Sequence, residues 1–192
     1  MKNIVLCLTS AAAIALSGCA LTPQNLHLDP AVTIRPAPVA SGTIVGLGIA
    51  DNRATQKLGE VGDPNTQMVD VSLTADFTPR VYDEVSRALT ALGFNVVPYS
   101  DNLERAIMID VRRLELSSIK QAFVFDTELR AELGAVARNS GDTYDRLYYV
   151  RTRRETAGPP FLKDSNALVN TAVSQALDDM LSDQKLFELL TR

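Results

Sequence analysis

The sequence predicts an α+β fold: a mostly antiparallel sheet with two main helices packed on one face. Three observations carry the prediction. In "AFVFDTELRAELGAVA", Phe123, Phe125, Leu129, Ala131, Leu133, Ala135 and Ala137 alternate with Asp126, Glu128, Arg130 and Glu132, so one strand face is buried and the other is wet. Across the turn "NSGD", the segment "TYDRLYYVRTRRET" returns antiparallel. Two further segments, around 78–92 and 164–181, repeat apolar residues every three or four positions between capping residues and breakers.

The chain opens "MKN" and then runs apolar from Ile4 to Leu16, interrupted only by Thr9 and Ser10. That is the h-region of a signal peptide, too short for a permanent span. It ends "LSGC", which resembles a bacterial lipobox. The resemblance implies a signal peptide over 1–18, cleavage before Cys19, a diacylglycerol on its sulfur and an acyl group on the new amino terminus. Cys7 would leave with the signal peptide and Cys19 would be consumed as a thioether, so the mature chain would hold no free thiol. Two or three acyl chains anchor stably where one is marginal. Aspartate after the cysteine is the usual inner-membrane retention signal. Here Ala20 follows, so the expected location is the bacterial outer membrane, lipid-anchored and facing the periplasm.

Prolines at 23, 30, 36 and 38 follow, so 19–41 reads as an extended, lipidated tether; "AVTI" within it could instead pair as an edge strand. A single globular domain is expected over 42–192. It opens on a strand in "GTIVGLGIADNR", with Val45, Leu47 and Ile49 on one face and small residues on the other, open to a helix or another backbone. The GLG there lacks the remainder of any phosphate-loop pattern. Residues 54–77 mix turn signals with a short strand around Met68–Leu73, a hairpin or irregular excursion. "TPRVYDEVSRALTALG" then gives a helix with Thr78 as N-cap, Pro79 at N1, a stripe of Val81, Val85, Ala88, Leu89 and Leu92, and Gly93 as the stop. "FNVVPY" is a short strand. In "RAIMIDVRRLELSS" the alternation Ile107, Ile109, Val111 slips to Leu114 and Leu116, which predicts a bulge near Arg112 and Arg113. After the hairpin, "DSNALVNTAVSQALDDML" begins a helix at Asp164 or Ser165, and "KLFELL" ends the chain as a short one.

Removing the signal peptide takes Lys2 and no acid, so the charge balance moves from 19 − 23 = −4 to 18 − 23 = −5. An acidic chain has no general pull toward nucleic acid, and none is expected as a partner. The single histidine, His27, lies in the tether, and zinc sites and Ser-His or Cys-His catalysis lack their usual parts. No metal, cofactor or catalytic residue is predicted.

"YSDN" at 99–102 and "SSIK" at 117–120 imitate two signatures of penicillin-binding serine enzymes. KTG is missing, the order is reversed, and a strand cannot place lysine one helical turn from its serine; "SDQK" at 182–185 shows how easily the pattern arises. An envelope hydrolase is therefore disfavoured. Arg151, Arg153 and Arg154, with Arg112 and Arg113, form basic stretches in an acidic chain; Arg151, Arg153 and Arg154 are the expected partner-binding residues, Arg151 and Arg153 on one side of a strand and able to meet an anionic surface. The plainer reading is a solvated strand face paired with Glu128 and Glu132. Asp51 and Arg53 suit the capping of a turn equally well.

The lipobox and tether, "VGLGIADNR" followed by "KLG", "LTALGFNV" and "IMIDVRRLEL" occur here in an order that resembles the YajG-type family of uncharacterised bacterial lipoproteins. The strand, helix, "G-F-x-V", hairpin, helix order is also similar to the small α/β domain of TolB's N-terminal region and of LpoB-type synthase activators, a likeness of fold alone. The resemblance implies an outer-membrane lipoprotein and carries over no site beyond Cys19. The functional expectation is a non-enzymatic binding or scaffold module with an envelope protein or a peptidoglycan-related partner; the alternative is a regulatory lipoprotein that activates a peptidoglycan synthase.

Overall fold

The longest strand organises everything else in the computed structural model, which describes residues 21–33 and 37–192. The predicted signal peptide and Cys19 lie outside the described residues. The elements run β1 (Gln24–Leu26), β2 (Ile44–Asp51), β3 (Lys57–Asp63), β4 (Gln67–Leu73), α1 (Thr78–Ala91), β5 (Asn95–Pro98), β6 (Arg105–Lys120), β7 (Phe125–Asn139), β8 (Asp142–Thr156), α2 (Leu162–Leu181) and α3 (Gln184–Thr191). Along one edge β6 pairs antiparallel with β7 for its whole length. Along the other it pairs in parallel with β2 in its first half and with β3 near its end. β4 joins β3 antiparallel, β1 joins β4 in parallel, β5 joins β2 in parallel, and β8 closes the far side against β7.

The class is thus α+β, and the two longest ladders are antiparallel. The parallel half follows from α1, which carries the chain back over the sheet between β4 and β5 so that β5 can lie beside β2 in the same direction. The predicted bulge is present, with the β6–β7 register shifting between Val111 and Arg113. The "NSGD" turn has Ser140 at φ 50° and Gly141 at φ 97°, positive at both central residues, which suits the twist of a two-residue hairpin. The excursion resolves as the β3–β4 hairpin. At its tip the Asp63 carboxylate accepts from Asn65 N at 3.0 Å.

The core lies on one face of the sheet. Val45, Leu47, Ile107, Ile109, Leu129 and Leu133 meet the α1 stripe of Val81, Val85 and Leu89 and the α2 stripe of Leu168, Ala172, Ala176, Leu177 and Met180 in one cluster. Each fully buried large side chain there contributes about 1.5–3 kcal/mol relative to exposure. α3 adds Leu186 and Leu190 to the same cluster.

Several expectations change. Thr78 is not the cap of α1: Phe77 holds the cap position, and the Asp76 carboxylate accepts from Thr78 N at 2.9 Å. α2 begins at Leu162, about a turn before its predicted caps, leaving Asp164 in the first turn. Phe123 is 90% exposed, because β7 begins only at Phe125. The bare face of β2 is covered by side chains, not by a helix: a Cβ on Gly46 would meet Leu103, and one on Gly48 would meet Met108 and Tyr99. Gly93 ends α1 as predicted, at φ 94°, and a Cβ there would stand 2.0 Å from the Ala40 carbonyl oxygen.

Candidate functional site

The segment read as a tether is extended, but its described part is docked on the domain. Gln24, Leu26, Leu28 and Pro30 alternate inward and are buried, whereas Asn25, His27, Asp29 and Ala31 face out. β1 lies within it, and no strand forms over 31–33 where "AVTI" begins. Instead the backbone runs along α2. His27 N donates to Asn166 Oδ1 at 2.9 Å, Asp29 N to Asn170 Oδ1 at 2.6 Å, Ala31 N to Ser174 Oγ at 2.9 Å and Thr33 N to Asp178 Oδ1 at 2.9 Å. Every second residue of the strap meets every fourth residue of the helix. The spacing matches, because two extended residues advance about 6.2–6.8 Å and four helical residues about 6.0 Å. The missed signal was the row Asn166, Asn170, Ser174, Asp178: short hydrogen-bonding side chains recurring at one helical repeat.

At its start the strap is clamped. Leu21 N donates to Gln67 Oε1 at 3.2 Å, and Gln67 Nε2 donates back to the Leu21 carbonyl at 2.9 Å. Gln24 Nε2 donates to the Pro160 carbonyl at 2.8 Å, which ties the strap to the loop entering α2. Leu21, Gln24, Gln67, Phe161, Leu162 and Lys163 line a groove at this corner.

The arginines do not form one patch. Arg151 and Arg153 stand on the outer face of β8, whereas Arg154 points to the helix side and meets Asp164 in the first turn of α2 at 3.1 Å. Arg151 pairs with Glu128, which also accepts from Arg130 Nε at 2.7 Å, and Arg153 pairs with Asp126. Hydrogen bonds from Arg151 and then Arg130 hold the Glu128 carboxyl below its ordinary value. The expected partner Glu132 lies opposite Tyr149 and takes no part in these pairs. Arg112 pairs with Asp110 at 2.5 Å over Gly134, where a Cβ would stand 2.5 Å from Asp110 Oδ1. Arg113 meets Glu115 at 3.5 Å.

Among the described residues, β8 is an edge strand of 15 residues that pairs only with β7. The two-residue turn makes Asn139 and Asp142 a hydrogen-bonded pair, so the odd-numbered residues from Thr143 to Glu155 direct their N–H and C=O groups away from the sheet. Leu147 and Tyr149, 48% and 54% exposed, stand on the outer face beside that edge.

Two charged clusters are structural. The Asp183 side chain caps α3 through Lys185 N at 3.1 Å, while its Oδ2 accepts from Tyr148 Oη at 2.7 Å, Tyr144 Oη at 2.9 Å and Arg146 Nη1 at 2.9 Å. Burial would raise its pKa, but these hydrogen bonds outweigh burial and hold it below the ordinary value. Burial and the hydrogen bond to Asp183 push the Tyr148 hydroxyl well up. Asp51 and Arg53 latch the end of β2: Arg53 Nε and Nη2 each donate to the carboxylate at 2.8 Å, and the guanidinium lies 5.2 Å from the Phe77 ring centroid. The serine and lysine signatures are not assembled. Ser117 and Lys120 alternate onto opposite faces of β6, Lys120 is held by Asp63, and "SDN" sits before the strand's start, about 40 Å of strand from Ser117 at about 3.3 Å per residue.

Fold and surface together define an α+β domain with helices on one face of its sheet, an N-terminal strap laid along α2 and one long free edge. The chain belongs to a family of uncharacterised lipoproteins, whose model matches residues 30–191, and the YajG-type resemblance holds over most of its length. Protein XCC0632 of Xanthomonas campestris, of the DUF330 family, has the same kind of fold at 20% identity and a TM-score of 0.52, the match covering 90% of this chain and 96% of that one. A neuraminyllactose-binding hemagglutinin homolog from Helicobacter pylori aligns at 8% identity and a TM-score of 0.44, covering 83% of this chain and 95% of that chain. A minor lipoprotein from Acinetobacter baumannii aligns at 11% identity and a TM-score of 0.38, covering 78% and 92%. No curated protein matches the chain. Among the described residues no helix is long and apolar enough to cross a membrane.

Proposed function

We propose that this chain is an outer-membrane lipoprotein, anchored through a lipid on Cys19 and facing the periplasm, that acts as a non-enzymatic binding or scaffold module in envelope assembly or maintenance. The observation that carries the binding role is the free edge of β8, 15 residues long. An extended segment of an envelope protein laid along Thr143–Glu155 would gain main-chain hydrogen bonds. Leu147 and Tyr149 would supply apolar contact beside it. Arg151, Arg153 and Glu155 on the same strand discourage indiscriminate pairing, as charged edges do.

Activation of a distant peptidoglycan synthase is less well supported, because the docked strap over 21–33 shortens the reach that a free tether would give. In vivo photocrosslinking from position 145 or 149 of the lipoprotein tests the binding role. A reproducible envelope partner from these positions, absent when the probe stands at Asp179 on α2, is the expected result. Equal or absent crosslinks at both places would sink it.

A further inference from the structure

We propose that the end of the domain nearest Cys19 is a membrane-contact face, in which Phe123, Phe161, Leu162 and Ile119 seat in the interfacial layer of the bilayer that holds the anchor. The proposal rests on the reading that Cys19 carries the lipid. Cys19 stands two residues before Leu21, which Gln67 clamps from both sides. Two residues of chain reach at most about 7 Å. The domain is therefore not held off the bilayer on a long leash: this one corner must stay within a short distance of the anchored residue.

The registers show which loops share that corner. β1 pairs in parallel with β4 so that the chain before Gln24 runs back toward Gln67, at the tip of the β3–β4 hairpin. Lys120, the last residue of β6, pairs with Asp63 at the same tip. Phe125 is the register partner of Lys120, and Thr156 that of Phe125. Gln24 holds the Pro160 carbonyl at 2.8 Å. The loops 63–67, 120–125 and 156–162 thus gather around Leu21.

Among the described residues the three most exposed large hydrophobic side chains, Phe123, Phe161 and Ile119, stand at this end, whereas Val39, Ile44, Leu147 and Tyr149 are exposed elsewhere to a lesser degree. The chain has six phenylalanines, and Phe77, Phe94, Phe125 and Phe187 are at most 7% exposed. The other two, Phe123 at 90% and Phe161 at 68%, both stand on this end. Ile119 at 63% and Leu162 at 46% flank them. A protein of ordinary surface chemistry buries phenylalanine, and exposed aromatic side chains gathered at one end of a domain mark an interaction surface. Lys120 at the end of β6 and Lys163 in the first turn of α2 border these loops, one paired with Asp63 and the other at the groove, so basic groups accompany the aromatic ones where headgroup phosphates would meet them. The occupant that this geometry selects is the membrane, because the anchor brings it there at high effective concentration whatever else is present.

The chain has no tryptophan, so a single introduced indole reports its own surroundings. The full lipidated chain bearing Phe161→Trp, Phe123→Trp or, as a reference on the outer sheet face, Tyr149→Trp is reconstituted into vesicles of equal parts phosphatidylethanolamine and phosphatidylglycerol with brominated acyl chains. The expected result is flotation of all three with the vesicles, a blue-shifted emission with at least about twofold quenching by bromine for the two loop variants, and neither for the reference. Flotation with all three indoles equally open to aqueous acrylamide would overturn the contact face while leaving the anchor intact. Shielding of the loop indoles from acrylamide without bromine quenching would overturn it in favour of a second copy on this face. Failure to float would overturn the anchor reading and the contact face with it.

Discussion

Asp183 is the residue on which the C-terminal corner depends. One carboxylate caps α3 and takes two tyrosine hydroxyls and a guanidinium, closing α2, α3 and β8 onto one another. Because its pKa is depressed in the fold, its stabilisation is fully present above the unfolded-state value of about 3.9 and is lost as pH falls through the lower folded value. Asp183→Asn is expected to cost about 1.5–3 kcal/mol near neutral pH and to reduce the loss of stability on acidification below about pH 4, read by urea denaturation across pH. An unchanged acid limb would show that other depressed carboxyls, such as Asp51 and Glu128, dominate it. Gly93 gives a second test. Its positive φ and the nearby Ala40 carbonyl make Gly93→Ala cost about 1–3 kcal/mol from backbone strain alone, before any clash. Gly158→Ala, with open space around it, should stay within about 0.5 kcal/mol, both variants being read by urea denaturation.

Among the elements, the strap and α2 form a unit that neither builds alone. The four backbone donors of the strap would otherwise be satisfied by water, and the helix residues would read as an ordinary polar face. Asn170→Ala removes the acceptor of Asp29 N and the donor to the His27 carbonyl, and should cost about 1–2 kcal/mol. The sharper readout is amide hydrogen exchange: protection at His27, Asp29, Ala31 and Thr33 should fall together, whereas protection in β6 and β7 should not. Unchanged protection at Asp29 would mean that burial of Leu26 and Leu28, not the ladder, holds the strap. The strands most legible in the sequence were those with a strict period of two and one wet face, β6 and β7, down to the bulge where the phase slips. β1 was not legible, because three residues in a proline-rich stretch carry no period, and their pairing with β4 is non-local.

At the scale of the whole molecule, the loops around Leu21 and the edge of β8 belong to one sheet and have fixed relative positions, so under the proposed attachment through Cys19 the anchored end would set how that edge is presented. Cys19→Ala, or globomycin treatment, should block cleavage before Cys19 and so change the gel mobility and membrane fractionation of the protein; unchanged mobility and fractionation would end the lipoprotein reading of that residue. The expected basic patch shows why a surface resists sequence reasoning. Arg151 and Arg153 could be placed on one face by parity, and Glu128 was identified as a partner, but Asp126 took the place of Glu132: the register of β8 on β7 sets Arg151 opposite Arg130 and Glu132 beside Tyr149, and the two arginines reach diagonally to Glu128 and Asp126.

By itself the sequence determined most local elements, the α+β class, the family and the chemistry expected of Cys19, because period, turns and the lipobox are written in residues a few positions apart. Only the tertiary structure decided that the tether is a strap, that half the sheet is parallel, that the three arginines part to opposite faces, and that Phe123 and Phe161 stand at the same end as Leu21. Each of those depends on which segments meet across tens or more residues of chain, and such meetings are chosen by the joint burial of one core and the matching of hydrogen-bonding groups, which no single stretch of sequence contains.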